Sequence, residues 1–209
     1  MISFVLNGED HTAENISPTM TMLDYVRGVV GLQGTKEGCA EGDCGACTVV
    51  RVIDGRVEAV NSCLMQIGQA DGSEIITVDG LEKINGGSLT PIQAAMAEGD
   101  GTQCGFCTPG CIGALFALGQ SDEEITAPVI HDALAGNLCR CTGYRPIVDS
   151  AREACGSAID YLPATPPARE GVHTIGDQTF FAPGALDELT KLFGIFHRGF
   201  VEILHTSAP

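Results

Sequence analysis

Eight of the ten cysteines in this 209-residue chain fall into two tetrads, Cys39-x4-Cys44-x2-Cys47 with Cys63 downstream, and Cys104-x2-Cys107 with Cys139-Arg140-Cys141. A chain that must gather four thiolates twice needs tight loops at two places, which no plain sheet or bundle supplies. No histidine stands at ligand spacing to either set. Four thiolates per site is the donor set of a 2Fe–2S cluster. Structural zinc also takes four thiolates, so a zinc-stabilised interaction module stands as the alternative from another class.

The composition narrows what else the chain can do. Its formal net charge is −16, from 27 acidic and 11 basic residues. Binding a phosphate backbone requires clustered bases, and none are visible, so a nucleic-acid partner is not expected. No apolar run reaches membrane-spanning length, and no membrane role is expected. Met1–Leu6 is apolar, but Asn7-Gly8-Glu9-Asp10 ends it at once, and it has no basic start. Ten cysteines without an export signal point to a reducing, cytoplasmic setting where thiolates bind metal instead of pairing.

Residues 1–82 read as a small β-rich domain. Ile2–Leu6 is a strand, and Asn7-Gly8 is a strong hairpin signal. Thr21–Val30 is the one helical stretch, with Met22, Leu23, Val26 and Val30 at helical spacing and Thr21 as its cap. Thr48–Ile53 and Arg56–Val60 form a second hairpin through Asp54-Gly55, and Ile75–Val78 adds a strand. Residues 83–162 change character. Helical segments begin at Pro91, Pro109, Pro128 and Pro146, the last running to Tyr161. Ser121-Asp-Glu-Glu124 has the form of a capping box, and Gly136 fits a helix C-terminus. The expected architecture is α+β, a mixed sheet clasping one helix followed by a compact bundle of four short helices. Residues 163–176 read as a linker, because Pro163-Ala-Thr-Pro-Pro167 cannot continue a helix, and 177–209 begin like a new domain.

The first tetrad is interleaved with Gly34, Gly38, Gly42 and Gly45. Three cysteines within nine residues wrap one cluster only if the backbone takes positive φ, which glycine allows cheaply. Small residues also let backbone N–H groups approach the sulfurs and help set the potential. The x4/x2 spacing with a distant fourth cysteine is the plant-type ferredoxin pattern. In the second tetrad, Cys104-Gly-Phe-Cys107-Thr-Pro109 lies at a helix start, and Cys139-Arg-Cys141 lies between helices. Helix N-termini favour an anionic cluster. Cysteines one residue apart are unusual for zinc ribbons.

The stretches Gly34-Thr-Lys-Glu-Gly-Cys-Ala-Glu-Gly-Asp-Cys-Gly-Ala-Cys-Thr48, Gln103-Cys-Gly-Phe-Cys-Thr-Pro-Gly110 and Gly136-Asn-Leu-Cys-Arg-Cys-Thr-Gly-Tyr-Arg-Pro146 resemble those of the xanthine oxidase family of molybdenum hydroxylases. Glu41-Gly42-Asp43 is most similar to the iron–sulfur small subunits of bacterial xanthine dehydrogenases. The resemblance implies a β-grasp ferredoxin domain followed by a helical 2Fe–2S domain. It implies a path in which electrons leave molybdopterin on a partner large subunit, pass through two 2Fe–2S clusters, and go on to FAD and NAD. By position, Cys104, Cys107, Cys139 and Cys141 hold the molybdenum-side cluster, and Cys39, Cys44, Cys47 and Cys63 the flavin-side one. Gln103 matches the glutamine that hydrogen-bonds the pterin in the family. The small subunits of relatives acting on aldehydes, carbon monoxide or N-heterocycles resemble the same residues. This chain is thus expected to act as an oxidoreductase subunit without catalytic residues of its own.

The resemblance weakens toward the C-terminus. Phe180-Phe-Ala-Pro-Gly-Ala-Leu-Asp-Glu-Leu189 is similar to the opening of the family's FAD domain, but the glycine-rich flavin loop does not follow. A truncated FAD-domain stub that binds no flavin is the expectation for 177–209. Cys111 and Cys155 stand outside both tetrads among apolar neighbours, as buried unreactive thiols do. His11, His131, His173, His197 and His205 are scattered, and Arg140, Tyr144 and Arg145 flank the second tetrad as packing or charge-offsetting groups.

Overall fold

Alternating apolar residues build the first half. In the computed structural model, which describes residues 2–17, 19–156, 171–175 and 178–182, Ile2–Leu6 (β1) turns into Glu9–Ala13 (β2). Asn7 and Gly8 both take positive φ, 54° and 79°, which matches a tight hairpin to the twist of its strands. Thr21 caps the next helix, its side chain accepting from the Asp24 N–H. That helix starts as Met22–Asp24 (α1) and widens to a π-helix over Tyr25–Val29. Thr48–Ile53 (β3) and Arg56–Asn61 (β4) form the second hairpin, and Glu74–Ile76 (β5) completes a five-stranded sheet of order β2-β1-β5-β3-β4. β5 runs parallel to β1 and antiparallel to β3, so the sheet is mixed.

The strand expected over Ile75–Val78 is shorter, and Val78–Ile84 is a helix (α2). The reason is local. Thr77 sits extended at the N-cap with its N–H held by Asn7 Oδ1 at 2.8 Å, and Asp79 occupies the first turn, where negative charge suits the helix dipole. Position 82, where the first domain was expected to end, falls inside this helix.

Four helices follow: Pro91–Glu98 (α3), Thr108–Gly119 (α4), Ala127–Ala133 (α5) and Arg145–Ala154 (α6). Each has proline in its first turn, where the missing N–H costs nothing. Ser121–Glu124 starts no helix; α5 begins only at Ala127, after an extended Thr126. α6 ends at Ala154, with Cys155 as its cap, so the helix closes before the expected Tyr161. Gly171–Ile175 (β6) and Gln178–Ala182 (β7) pair antiparallel. β6 lies within the span read as linker, where Val172, Thr174 and Ile175 favour extended backbone. The rest of the expected FAD-domain opening lies outside the described residues.

The two halves share a core. Period two along β3 sends Val49 to the core under the sheet, with Phe4, Met22, Val26, Ile67 and Ile75. Val50 and Val52 point the other way, into a core with Met96, Leu115, Phe116, Ile130 and Ile147 from the helices. Neighbouring Ile75 and Ile76 divide between the cores in the same way. The sheet is therefore apolar on both faces, and its second face holds α4 and the turns that carry the second tetrad.

Candidate metal centres

The first tetrad sits on a loop folded back over the end of the sheet. Ala40, Gly42 and Gly45 take positive φ, and the loop turns its amides inward. Cys44 N–H donates to Cys39 Sγ at 3.3 Å, Glu41 N–H to the same sulfur at 3.5 Å, and Cys39 N–H to Cys44 Sγ at 3.4 Å. The Glu41 N–H, then the Cys44 N–H, lower the Cys39 thiol to about 7. Cys63 leaves β4 and is buried against Cys47 and Leu23. Burial first, then the Cys47 sulfur, pushes the Cys63 thiol up to about 12. The four thiols thus meet as two pairs, Cys39 with Cys44 and Cys47 with Cys63, and the Cys39 charge reaches Cys63.

Polar side chains absent from the sequence reading pin this loop. Asn61 Nδ2 donates to Gly42 O at 2.9 Å, and Ser62 Oγ to Cys47 O at 2.7 Å. Gly38 has no room for a side chain: a Cβ there would lie 2.8 Å from Cys44 Sγ. No sequence pattern marks Asn61 or Ser62, since each acts on a residue far along the chain.

The second tetrad uses two turns, one before α4 and one before α6. Cys104 and Cys141 are exposed, and Cys107 and Cys139 half-buried. The thiols again pair, Cys104 with Cys141 and Cys107 with Cys139. The Phe106 N–H, then Cys141, lowers the Cys104 thiol, whereas the Cys104 sulfur raises Cys141. Burial raises Cys107. Burial also acts upward on Cys139, but the Thr142 hydroxyl and N–H and the Cys141 N–H outweigh it, leaving that thiol lowered. A cavity of about 110 Å³ lies between the turns, lined by the four cysteines, Phe106 and Thr142. Gln103 is exposed at its edge, and Arg140 also lines it.

Tyr144 was read only as a flanking group, and its part here is specific. It caps α6 with φ 67°, and its hydroxyl accepts the Cys139 N–H at 2.8 Å. Cys111 and Cys155 are buried as expected, and burial raises both thiols to about 11. Cys111 nevertheless touches Cys107 one helical turn away.

The two tetrads are joined backbone to backbone. Leu138 N–H, next to Cys139, donates to Cys44 O at 2.9 Å. Asn137, 5% exposed, donates to Gly45 O at 2.9 Å and Thr48 Oγ1 at 3.1 Å. A Cβ on Gly45 would stand 2.2 Å from Gly136 O, and one on Gly110 would stand 2.1 Å from Gly45 O. Among the described residues no group of three or more His, Cys, Asp or Glu side chains is drawn in around a single-ion site. The donor set itself, two thiol pairs per site with amides aimed at sulfur, suits a two-iron cluster.

Comparison with known proteins agrees. Residues 4–74 match the family described as 2Fe-2S iron-sulfur cluster binding domain, and residues 77–152 the one described as [2Fe-2S] binding domain. A solved chain of quinoline 2-oxidoreductase from Pseudomonas putida is 37% identical, with a TM-score of 0.65, over 74% of this chain and 91% of that one. The chain belongs to the 2Fe–2S iron–sulfur family of the molybdenum hydroxylases. Members of that family matched here include a xanthine dehydrogenase from Emericella nidulans, 43% identical over 75% of this chain, and aldehyde oxidase 3 from Mus musculus, 42% identical over 74%. The chain spans 12% of the length of each of these two relatives. No helix among the described residues is long and apolar enough to cross a membrane.

Proposed function

We propose that this chain is the electron-transfer part of a xanthine-dehydrogenase-type molybdenum hydroxylase, acting as an iron–sulfur subunit beside a molybdopterin-binding large subunit in the cytoplasm. Residues 1–82 form the ferredoxin-like 2Fe–2S domain, 83–162 the helical one, 163–176 a linker and 177–209 the start of a FAD-binding domain. Cys39 with Cys44 and Cys47 with Cys63 would grip the two irons of one cluster, and Cys104 with Cys141 and Cys107 with Cys139 those of the other. A bound 2Fe–2S cluster supplies one-electron chemistry. The observation that carries this reading is the Leu138 N–H to Cys44 O hydrogen bond, which sets ligand-bearing turns of both tetrads side by side.

The reading includes a direction. The exposure of Cys104, Cys141, Phe106 and Leu138 supports a second tetrad turned toward the partner, where Gln103 would hydrogen-bond the pterin. The first tetrad, with Cys47 and Cys63 buried, lies farther inward. The charge taken up by the sulfurs is met by amides already oriented, so little needs to move. A second reading, the small subunit of a hydroxylase acting on an N-heterocycle or aldehyde, is favoured by the 91% coverage of the quinoline 2-oxidoreductase chain. Anaerobically purified chain should be red-brown and contain about four irons and about four acid-labile sulfides. Colourless protein containing zinc would refute both readings.

A further inference from the structure

We propose that Thr142 tunes the second centre: its hydroxyl donates a hydrogen bond to Cys139 Sγ and raises that centre's reduction potential. The inference rests on the reading of Cys139 as an iron ligand. Thr142 Oγ1 lies 3.1 Å from Cys139 Sγ and also 3.1 Å from the Tyr144 N–H. The Tyr144 amide can only donate, so Thr142 oxygen accepts there and its single proton is left for the sulfur. A metal-bound thiolate carries no proton, so it can only accept. The Tyr144 hydroxyl accepts the Cys139 N–H at 2.8 Å and so holds the cysteine in the turn beside Thr142.

The first tetrad offers a contrast. Apart from the neighbouring thiols, the donors to its sulfurs among the described residues are backbone amides, such as Glu41 and Cys44 N–H to Cys39 and Cys39 N–H to Cys44. A hydroxyl at a tetrad sulfur is a feature of the second turn. One-electron reduction places added negative charge on the thiolates, and a hydrogen bond to sulfur strengthens with that charge. The reduced form is therefore favoured. The hydroxyl keeps its proton throughout, and the electron in the test comes from a chemical reductant such as dithionite.

The test uses the full chain with iron and sulfide counted first, then a redox titration read by electron paramagnetic resonance, which distinguishes the two centres. Thr142→Val and Thr142→Ala should lower the second centre's midpoint, making reduction about tenfold less favourable at fixed potential, about 59 mV for one electron. Thr142→Ser, which keeps the hydroxyl, should stay near the unaltered chain, and the first centre should not move. Unchanged midpoints in Val and Ala, or equal shifts in both centres, would overturn the proposal. So would loss of the second centre's iron in Val and Ala with retention in Ser, since the hydroxyl would then be structural only. If the unaltered chain holds no iron and sulfide, it is the parent reading that fails.

Discussion

The first tetrad takes its sulfurs from one glycine-rich loop and a strand end, whereas the second takes them from two turns that open helices. The loop buries Cys47 and Cys63 and serves its sulfurs with backbone amides. The helical turns leave Cys104 and Cys141 exposed and add a hydroxyl and a tyrosine. Four thiols are thus more enclosed in one place than in the other.

The sharpest way to break this comparison is to remove one proposed ligand from each site. Cys63→Ser should remove the first centre and leave the second, with about half the iron lost. Cys141→Ser should do the reverse. Iron analysis with resonance spectra reads both, and loss of both centres from either change would show that the sites do not assemble independently. Next in size are changes at the seam. Gly45→Ala forces positive φ on alanine and drives Cβ to 2.2 Å from Gly136 O, so it should destabilise by about 3 kcal/mol or more in urea unfolding. Asn137→Leu leaves Gly45 O and Thr48 Oγ1 without that donor and should cost about 1–3 kcal/mol. Both should also weaken the magnetic coupling between centres, because the seam sets their separation; unchanged coupling would count against that.

The smallest effect concerns a thiol outside both sites. Burial raises Cys155 from 9.0 to about 11, so folding favours its neutral form. The stability this contributes is fully present below pH 9.0 and is lost as pH rises through about 11. Cys155→Ala should flatten urea-midpoint dependence on pH over that window. An unchanged slope would place the titration elsewhere.

Much of the first half was legible because its signals are local. Asn7-Gly8 and Asp54-Gly55 specify hairpins through φ alone, and β1 and β3 keep their expected bounds. Val78–Ile84 was missed because an apolar Ile75–Val78 run fits a strand, and only Asn7, seventy residues away, holds Thr77 as a cap. The eight cysteines were visible by spacing, and the structure brings each tetrad together as pairs. Asn61, Ser62, Asn137 and Thr142 were not, because hydrogen bonding to a ligand loop has no period or spacing to mark it.

By itself the sequence determined where the eight thiols and the glycines between them stand along the chain, since thiol identity and glycine permissiveness are properties of single residues. The tertiary structure decided that Cys47 and Cys63 are buried while Cys104 and Cys141 are exposed, and how the two tetrads touch. Those depend on β3 having two apolar faces and on Asn137 and Leu138 reaching Gly45 and Cys44. Such contacts exist only once distant segments have packed, because burial and hydrogen-bond geometry belong to pairs of residues and not to either one alone.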